Sequence, residues 1–323
     1  SNHWLCTMPG VLLLDGGMGH LLRRLGVRIS GAMGSSERFL GVALANVSQP
    51  ELVKSAHQQY IEAGAEIITS NSYACVPHCL SLNGDFSREK LGEYIKSAGE
   101  IARSAADEAG GDVRVAGCLP PLGASYRVDT SHTDEELQRE YEEIARTIAP
   151  FSDVLLCETM ASVREGIAAA RAGAKTGLGV WVSFTLSDSA DGTLRSGESI
   201  AEACEACLAL DLETDAIEAV FVNCSSVEAT SKAVPELRKC LPNSIKVGGY
   251  ANMMTVAEDR SCDDKTGGDE PLLQDEYNVD PAEKYAEFAM DWVQNGASIV
   301  GGCCGVFPEH IGLLHNKLKG TNL

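Results

Sequence analysis

Twelve cysteines stand in this 323-residue chain, and three of them have a setting the others lack. Cys303 and Cys304 are adjacent within the run Gly301-Gly302-Cys303-Cys304-Gly305, and Cys224 closes the apolar run AVFVNC. Thiolates are good zinc ligands, and three protein ligands with a fourth position open is the usual catalytic zinc arrangement. Adjacent cysteines in a plain strand would point to opposite faces. The flanking glycines therefore predict an unusual backbone that turns both thiols toward one ion. A redox pair at Cys303-Cys304 is the alternative. Cys6, Cys75, Cys79, Cys118, Cys157 and Cys240 have no ligand-like spacing and read as small buried hydrophobes. Cys204 and Cys207 form a lone CxxC with no second pair, so a four-cysteine site is unsupported. His57 and His310 fall in helical segments and read as structural or exposed.

The elements that must position these groups alternate between strand and helix. Eight nearly continuous apolar runs occur at 11–15, 65–71, 113–119, 153–159, 178–184, 219–225, 245–250 and 297–303, as expected of parallel strands covered on both faces. Helical spacing fills the intervals, as in Ser48–Gly64, Ser87–Gly110 and Thr133–Ala149, and Thr133 with Glu136 predicts a capping box. Eight such units predict a (β/α)8 TIM barrel spanning 1–323 as a single domain. A doubly wound sheet is the runner-up. The first turn, Asp15-Gly16-Gly17-Met18-Gly19, is not its GxGxxG fingerprint. In a barrel the chemistry lies at the C-terminal strand ends, which selects Asp15, Asn71, Tyr73, Glu158, Asn223, Cys224, Tyr250, Asn252, Cys303 and Cys304. Residues 251–283 read as a long polar connection carrying an excess of acidic side chains, either a solvated loop or a lid over the mouth.

Lys and Arg number 26 against 46 Asp and Glu, a formal charge of −20. Such a chain repels nucleic-acid phosphates and anionic membranes and suits small-molecule work. No apolar run reaches the length of a transmembrane helix, and residues 1–10 lack the pattern of a secretory signal. Many cysteines without a signal point to free thiols in a reducing cytoplasm, in a monomer or small homo-oligomer.

These motifs together resemble the zinc-dependent homocysteine S-methyltransferases, the barrel group that makes methionine. The likeness runs from about Val11 to Leu318. It is carried by LLDGGMG (13–19), EAGAEIITSNSY (62–73), CLPPLGASY (118–126), LLCETM (155–160), VNCSS (222–226) and GGCCG (301–305). The resemblance implies that Cys224, Cys303 and Cys304 ligate zinc and that Asp15 and Glu158 hold the substrate amino group. It implies that Gly16 and Gly17 meet the carboxylate end, and that Tyr73, Asn223, Tyr250 and Asn252 lie near the mouth. The partners implied are homocysteine and a methyl donor. A free thiol is only about 3% ionised at pH 7, so full ionisation gains at most ~30-fold, or roughly 2 kcal/mol. Alignment of sulfur, methyl and leaving group must supply the rest.

For the donor, the resemblance offers a sulfonium (S-methylmethionine or S-adenosylmethionine), betaine or methylfolate. Betaine enzymes of the family carry a longer C-terminal extension and cobalamin-dependent methionine synthases carry further modules, so a sulfonium is the expectation. One stretch departs from the family: AMGSSERFL (32–40) lacks a Trp often found there. Selenohomocysteine or selenocysteine as acceptor stays open. So do a metal-dependent hydrolase, which would want histidine and carboxylate ligands, and a thiol-rich metal buffer or redox sensor.

Overall fold

The structure, a computed structural model, describes residues 10–29, 36–84, 87–123, 125–187, 191–253 and 282–320. Its strands are β1 (Leu12–Leu13), β2 (Ile67–Thr69), β3 (Arg114–Leu119), β4 (Val154–Met160), β5 (Gly179–Phe184), β6 (Ile217–Asn223), β7 (Lys246–Tyr250) and β8 (Ile299–Val300). Every neighbouring pair is parallel, in the order β1-β8-β7-β6-β5-β4-β3-β2. Leu14 bridges Ile67 in parallel. Glu66 N–H donates to Leu13 O at 2.8 Å, and Asp15 N–H donates to Ile67 O at 3.1 Å. These bonds join the first strand to the second and close the ring, giving the expected (β/α)8 barrel rather than an open doubly wound sheet.

All eight expected runs contain a strand, but β1 and β8 are only two residues each. Leu14 still bridges Ile67, while the segments that follow the two short strands, Asp15–Gly17 and Gly301–Cys304, build the mouth. The helices are α1 (Met18–Arg24), α2 (Ser36–Ser48), α3 (Pro50–Glu62), α4 (Pro77–Leu80), α5 (Arg88–Ala109) and α6 (Asp134–Ile148), followed by α7 (Val163–Ala174), α8 (Ile200–Thr214), α9 (Val227–Cys240), α10 (Ala282–Gln294) and α11 (Pro308–Lys319). One expected boundary is corrected: Ser48 ends α2 and does not start the next helix. Pro50, lacking an N–H, separates the two and opens α3. The Thr133–Glu136 capping box is present, with both reciprocal bonds formed.

Strand parity explains what reaches the lumen. Successive strand side chains alternate faces. Leu14, Ile67, Ala116, Val154, Leu156, Trp181, Ala219, Phe221, Tyr250 and Ile299 form the inner core. Their alternates, such as Val115, Leu155, Val182 and Val220, join the larger cluster packed under the helices. Continuing the inner register puts Glu158 after Val154 and Leu156, and Asn223 after Ala219 and Phe221, at the C-terminal end of the barrel. No helix among the described residues is long and apolar enough to cross a membrane. Of the acidic connection, residues 254–281 lie outside the described residues, and so does the reading of it as a lid.

Candidate metal and substrate site

Cys224 immediately follows Asn223, so an unbroken strand would turn it toward the helices. Its backbone instead has φ +50°, a left-handed conformation that costs a non-glycine residue about 1–3 kcal/mol. This turn carries Cys224 to the mouth. Its Sγ lies 3.1 Å from Cys303 Sγ and 3.8 Å from Cys304 Sγ, and the three ligand atoms all fall within 4.8 Å of one another. Thr159 (φ +62°) and Tyr126 (φ +65°) are also left-handed. Three of the four such non-glycine residues among those described therefore border one cavity.

The Cys303-Cys304 segment is held by surrounding backbone. Gly302 N–H donates to Asp15 O at 2.9 Å, Cys303 N–H to Ala251 O at 3.0 Å, and Met253 N–H to Cys304 O at 2.9 Å. Gly305 N–H donates to His20 Nδ1 at 2.8 Å, so that nitrogen is the ring's acceptor. The glycines act differently from the simple expectation. Gly305 has φ +80°, whereas Gly301 and Gly302 have no positive φ; a Cβ on either would collide with Leu14 or Val306. Close approach, more than unusual dihedrals, makes those two positions glycine. Gly16 and Gly17 form the opposite wall for the same reason: an added Cβ would meet Val306 O at 2.5 Å or Cys303 O at 2.6 Å. Gly17 N–H is already donated to Val306 O at 2.9 Å. It is committed to the fold, which narrows the expectation that both glycine amides meet a substrate carboxylate.

Asp15 is 4% exposed. Its Oδ2 accepts from Thr69 N–H at 2.8 Å and its Oδ1 from Thr69 Oγ1 at 3.1 Å. Burial nevertheless pushes its carboxyl up to about 8, with Glu158 adding to the rise and Thr69 opposing it. Burial likewise pushes Glu158 up to about 7, although hydrogen bonding to Cys118 and the Tyr250 hydroxyl nearby oppose the shift. Cys118 Sγ lies 3.2 Å from Glu158 Oε2. The Cys303 thiol sits well above its ordinary range because of its hydrogen bonds to Cys224 and Cys304 and because of burial. Two carboxyls and three thiols thus share a wall on which negative charge is costly, and no Lys or Arg lines it among the described residues. Such a wall favours positively charged groups over negative ones.

Asp15, Gly16, Gly17, Asn71, Tyr73, Glu158, Cys224, Tyr250, Cys303 and Cys304 all line this one cavity. Two expected residues do not. Asn223 is fully buried, its Oδ1 accepting from Ser183 Oγ at 2.6 Å and Thr159 N–H at 3.1 Å, its Nδ2 donating to Thr159 Oγ1 at 2.8 Å. It fixes the left-handed Thr159 behind Glu158. Asn252 is buried off the cavity wall, and its amide has no hydrogen-bond partner among the described residues. Asn71 reaches the wall, but its amide is committed to Val42 O and Asn46 Oδ1. Sequence reasoning missed Met18, His20, Phe39, Thr69, Tyr126 and Thr159, which also line the cavity. Phe39 belongs to the stretch that lacks the Trp, and its ring lies 5.6 Å from that of Tyr73.

A family model described as homocysteine S-methyltransferase matches residues 12–318. The methionine synthase of Mycobacterium tuberculosis is 27% identical over 93% of this chain, which spans only 24% of that protein. The homocysteine S-methyltransferase YbgG of Bacillus subtilis is 27% identical over 96% of this chain and 95% of its own length. Among solved structures, the metallated form of the homocysteine methyltransferase MmuM from Escherichia coli superposes with a TM-score of 0.75. It is 25% identical, covering 96% of this chain and 97% of that one.

Proposed function

Because the chain belongs to the homocysteine S-methyltransferase family, we propose that it methylates the sulfur of homocysteine to give methionine, with zinc as its metal and a sulfonium as methyl donor. The observation that carries this reading is the convergence of Cys224, Cys303 and Cys304 on the rim of a cavity that also holds Asp15 and Glu158.

The donor set fits zinc. A tetrahedron with Zn–S bonds of about 2.3 Å has sulfur–sulfur edges of about 3.8 Å. The Cys224–Cys304 separation is 3.8 Å, and the 3.1 Å Cys224–Cys303 separation needs only a small rotation of one thiol. Zinc held by these three residues would supply the positive charge that keeps the acceptor sulfur ionised near neutral pH. Asp15 and Glu158 bind the substrate ammonium, whose charge makes their ionised forms favourable in a buried wall. Gly16 and Gly17 line the cavity beside Asp15, where the carboxylate end of the same substrate would lie. Tyr73 closes the side of the cavity against Ser125, to which its hydroxyl is hydrogen-bonded at 2.8 Å.

The bond changes are a single displacement. The acceptor thiol releases its proton to solvent as it ionises, and its electron pair forms the new S–CH3 bond. The old CH3–S bond breaks with its pair going to the donor sulfur, which leaves as a neutral thioether. No general base is needed; the cavity contributes alignment. The walls favour a cationic donor, since the Phe39 and Tyr73 rings and the acidic groups attract an onium and no described Lys or Arg opposes it. S-Methylmethionine and S-adenosylmethionine meet that description. Betaine, a quaternary ammonium, is the second reading, and selenohomocysteine or selenocysteine could enter as acceptor by the same geometry. The ten described cysteines are all free, in keeping with a reducing cytoplasm as the working compartment.

The test is a panel of S-methylmethionine, S-adenosylmethionine, betaine and methylfolate, each assayed with homocysteine and zinc-loaded protein. Methionine formed from a sulfonium is expected. Transfer from betaine or methylfolate alone would overturn the donor assignment. Zinc-loaded protein that transfers from none would overturn the reading.

A further inference from the structure

We propose that Tyr126 is a positioning residue for the metal centre: its hydroxyl holds Cys224 Sγ and offsets the negative charge that accumulates on the sulfurs. This rests on the zinc reading above. The Tyr126 hydroxyl lies 2.8 Å from Cys224 Sγ, although the two residues are 98 apart in sequence. The ring belongs to the segment between β3 and α6, which is anchored on both sides of Tyr126. Leu122 N–H donates to Glu165 Oε1 at 3.0 Å, Tyr141 Oη donates to Pro120 O at 3.0 Å, and Arg164 Nη1 donates to Asp129 O at 3.2 Å. The guanidinium of Arg195, from the loop after β5, lies 4.7 Å from the Tyr126 ring centroid. The left-handed backbone of Tyr126 is a second cost that this loop sustains at the position.

Charge explains why such a contact would matter. Three thiolates and a divalent zinc sum to −1, and a homocysteine thiolate takes the cluster to −2. No Lys or Arg lines the cavity among the described residues. An O–H donated to a thiolate is charge-assisted and strengthens in a low-dielectric wall. Arg195 stacked on the ring brings a full positive charge behind that donor without entering the cavity. The pair therefore compensates most when the cluster is most negative, with homocysteine bound.

Tyr126→Phe keeps the ring and the Arg195 stack and removes only the hydroxyl. It should weaken zinc binding, measured by chelator competition, by about 10-fold, the low end for groups that support metal ligands. The KM for homocysteine should rise by a similar factor while kcat changes by less than about 2-fold, since the contact acts on binding. In the cobalt-substituted protein the sulfur-to-metal charge-transfer band should move to lower energy as Cys224 loses its donor. Arg195→Gln should shift all three readouts in the same direction by less. Unchanged zinc affinity, KM and band position in Tyr126→Phe, with the parent binding zinc normally, would overturn the role of Tyr126 alone. A parent chain that binds no zinc would instead overturn the reading it rests on.

Discussion

The two ends of the barrel treat charge in opposite ways. At the N-terminal face the carboxylates of Asp153, Glu66 and Glu218, close to the strand starts, each have a donor. Asp153 Oδ2 accepts from Arg103 Nη2 at 2.5 Å and from Val115 N–H at 2.7 Å. Glu66 accepts from Lys319 Nζ and from Leu13 N–H, both at 3.0 Å, and Glu218 accepts from Trp181 Nε1 at 3.1 Å. At the C-terminal mouth Asp15 and Glu158 face no described Lys or Arg, and three residues hold left-handed backbone. One end is locally satisfied and serves stability. The other is completed by what it binds, as expected where barrel chemistry resides.

The largest test of this contrast is Cys303→Ser. Losing a ligand should weaken zinc binding by more than the roughly 100-fold upper end seen for outer-shell changes, and homocysteine methylation should fall with it. Cys157→Ser, in the same barrel but turned toward the helices, should retain zinc and KM and lose only stability. Equal zinc loss in both variants, measured by metal content after dialysis, would erase the distinction between mouth and shell.

Asp15→Asn comes next. Losing one charge-assisted hydrogen bond of about 1.5–3 kcal/mol should raise the KM for homocysteine by roughly 10- to 150-fold, with less effect on kcat. The pH dependence has a definite sign. The Asp15 carboxyl has an ordinary value of 3.8 and sits at about 8 in the fold. The metal-free, substrate-free protein therefore keeps that proton and loses the associated stability as pH rises from about 4 through 8. Denaturant titrations should show Asp15→Asn gaining on the parent at pH 8 relative to pH 4. A gap independent of pH would contradict the burial argument.

At the N-terminal face the expected effect is smaller and of another kind. Asp153→Asn should cost about 1 kcal/mol of stability through its weakened bonds to Val115 and Arg103, with KM unchanged. A rise in KM would mean that the two ends are coupled. An effect of similar size and opposite sign is expected at His57, in the shell between them. It is fully buried on α3, neither ring nitrogen has a partner among the described residues, and burial lowers it to about 3. It is neutral in the fold, so its contribution is lost as pH falls below 6.5 toward 3. His57→Leu should stabilise by about 1 kcal/mol, with a larger gain at pH 5 than at pH 8 in thermal melts.

Much of this contrast is legible in the sequence. Eight apolar runs gave the strand count because parallel strands are buried on both faces, and strand-end placement brought Asp15, Glu158 and the three cysteines to one mouth. Period-2 alternation also points Asn223 inward, yet it could not say that Thr159 and Ser183 consume its amide, because that depends on the kink at Thr159. Asn252 was placed near the mouth by its position after β7 and sits off the cavity wall. Tyr126 and Phe39 reach the cavity from a loop and a helix, where no period fixes a direction, so their motifs were visible while their contacts were not. At Gly301 and Gly302 packing against Leu14 and Val306, not dihedral freedom, excludes a side chain, and such close approach leaves no mark in the sequence.

The most direct test of the account is the sulfur count around bound zinc, read by X-ray absorption before and after homocysteine is added. Three sulfurs and one lighter atom are predicted without substrate, and four sulfurs with it, all at about 2.3 Å. A count that stays at three with homocysteine bound, or one already at four from protein thiols alone, would contradict the assignment of Cys224, Cys303 and Cys304 as the complete protein ligand set of an open site.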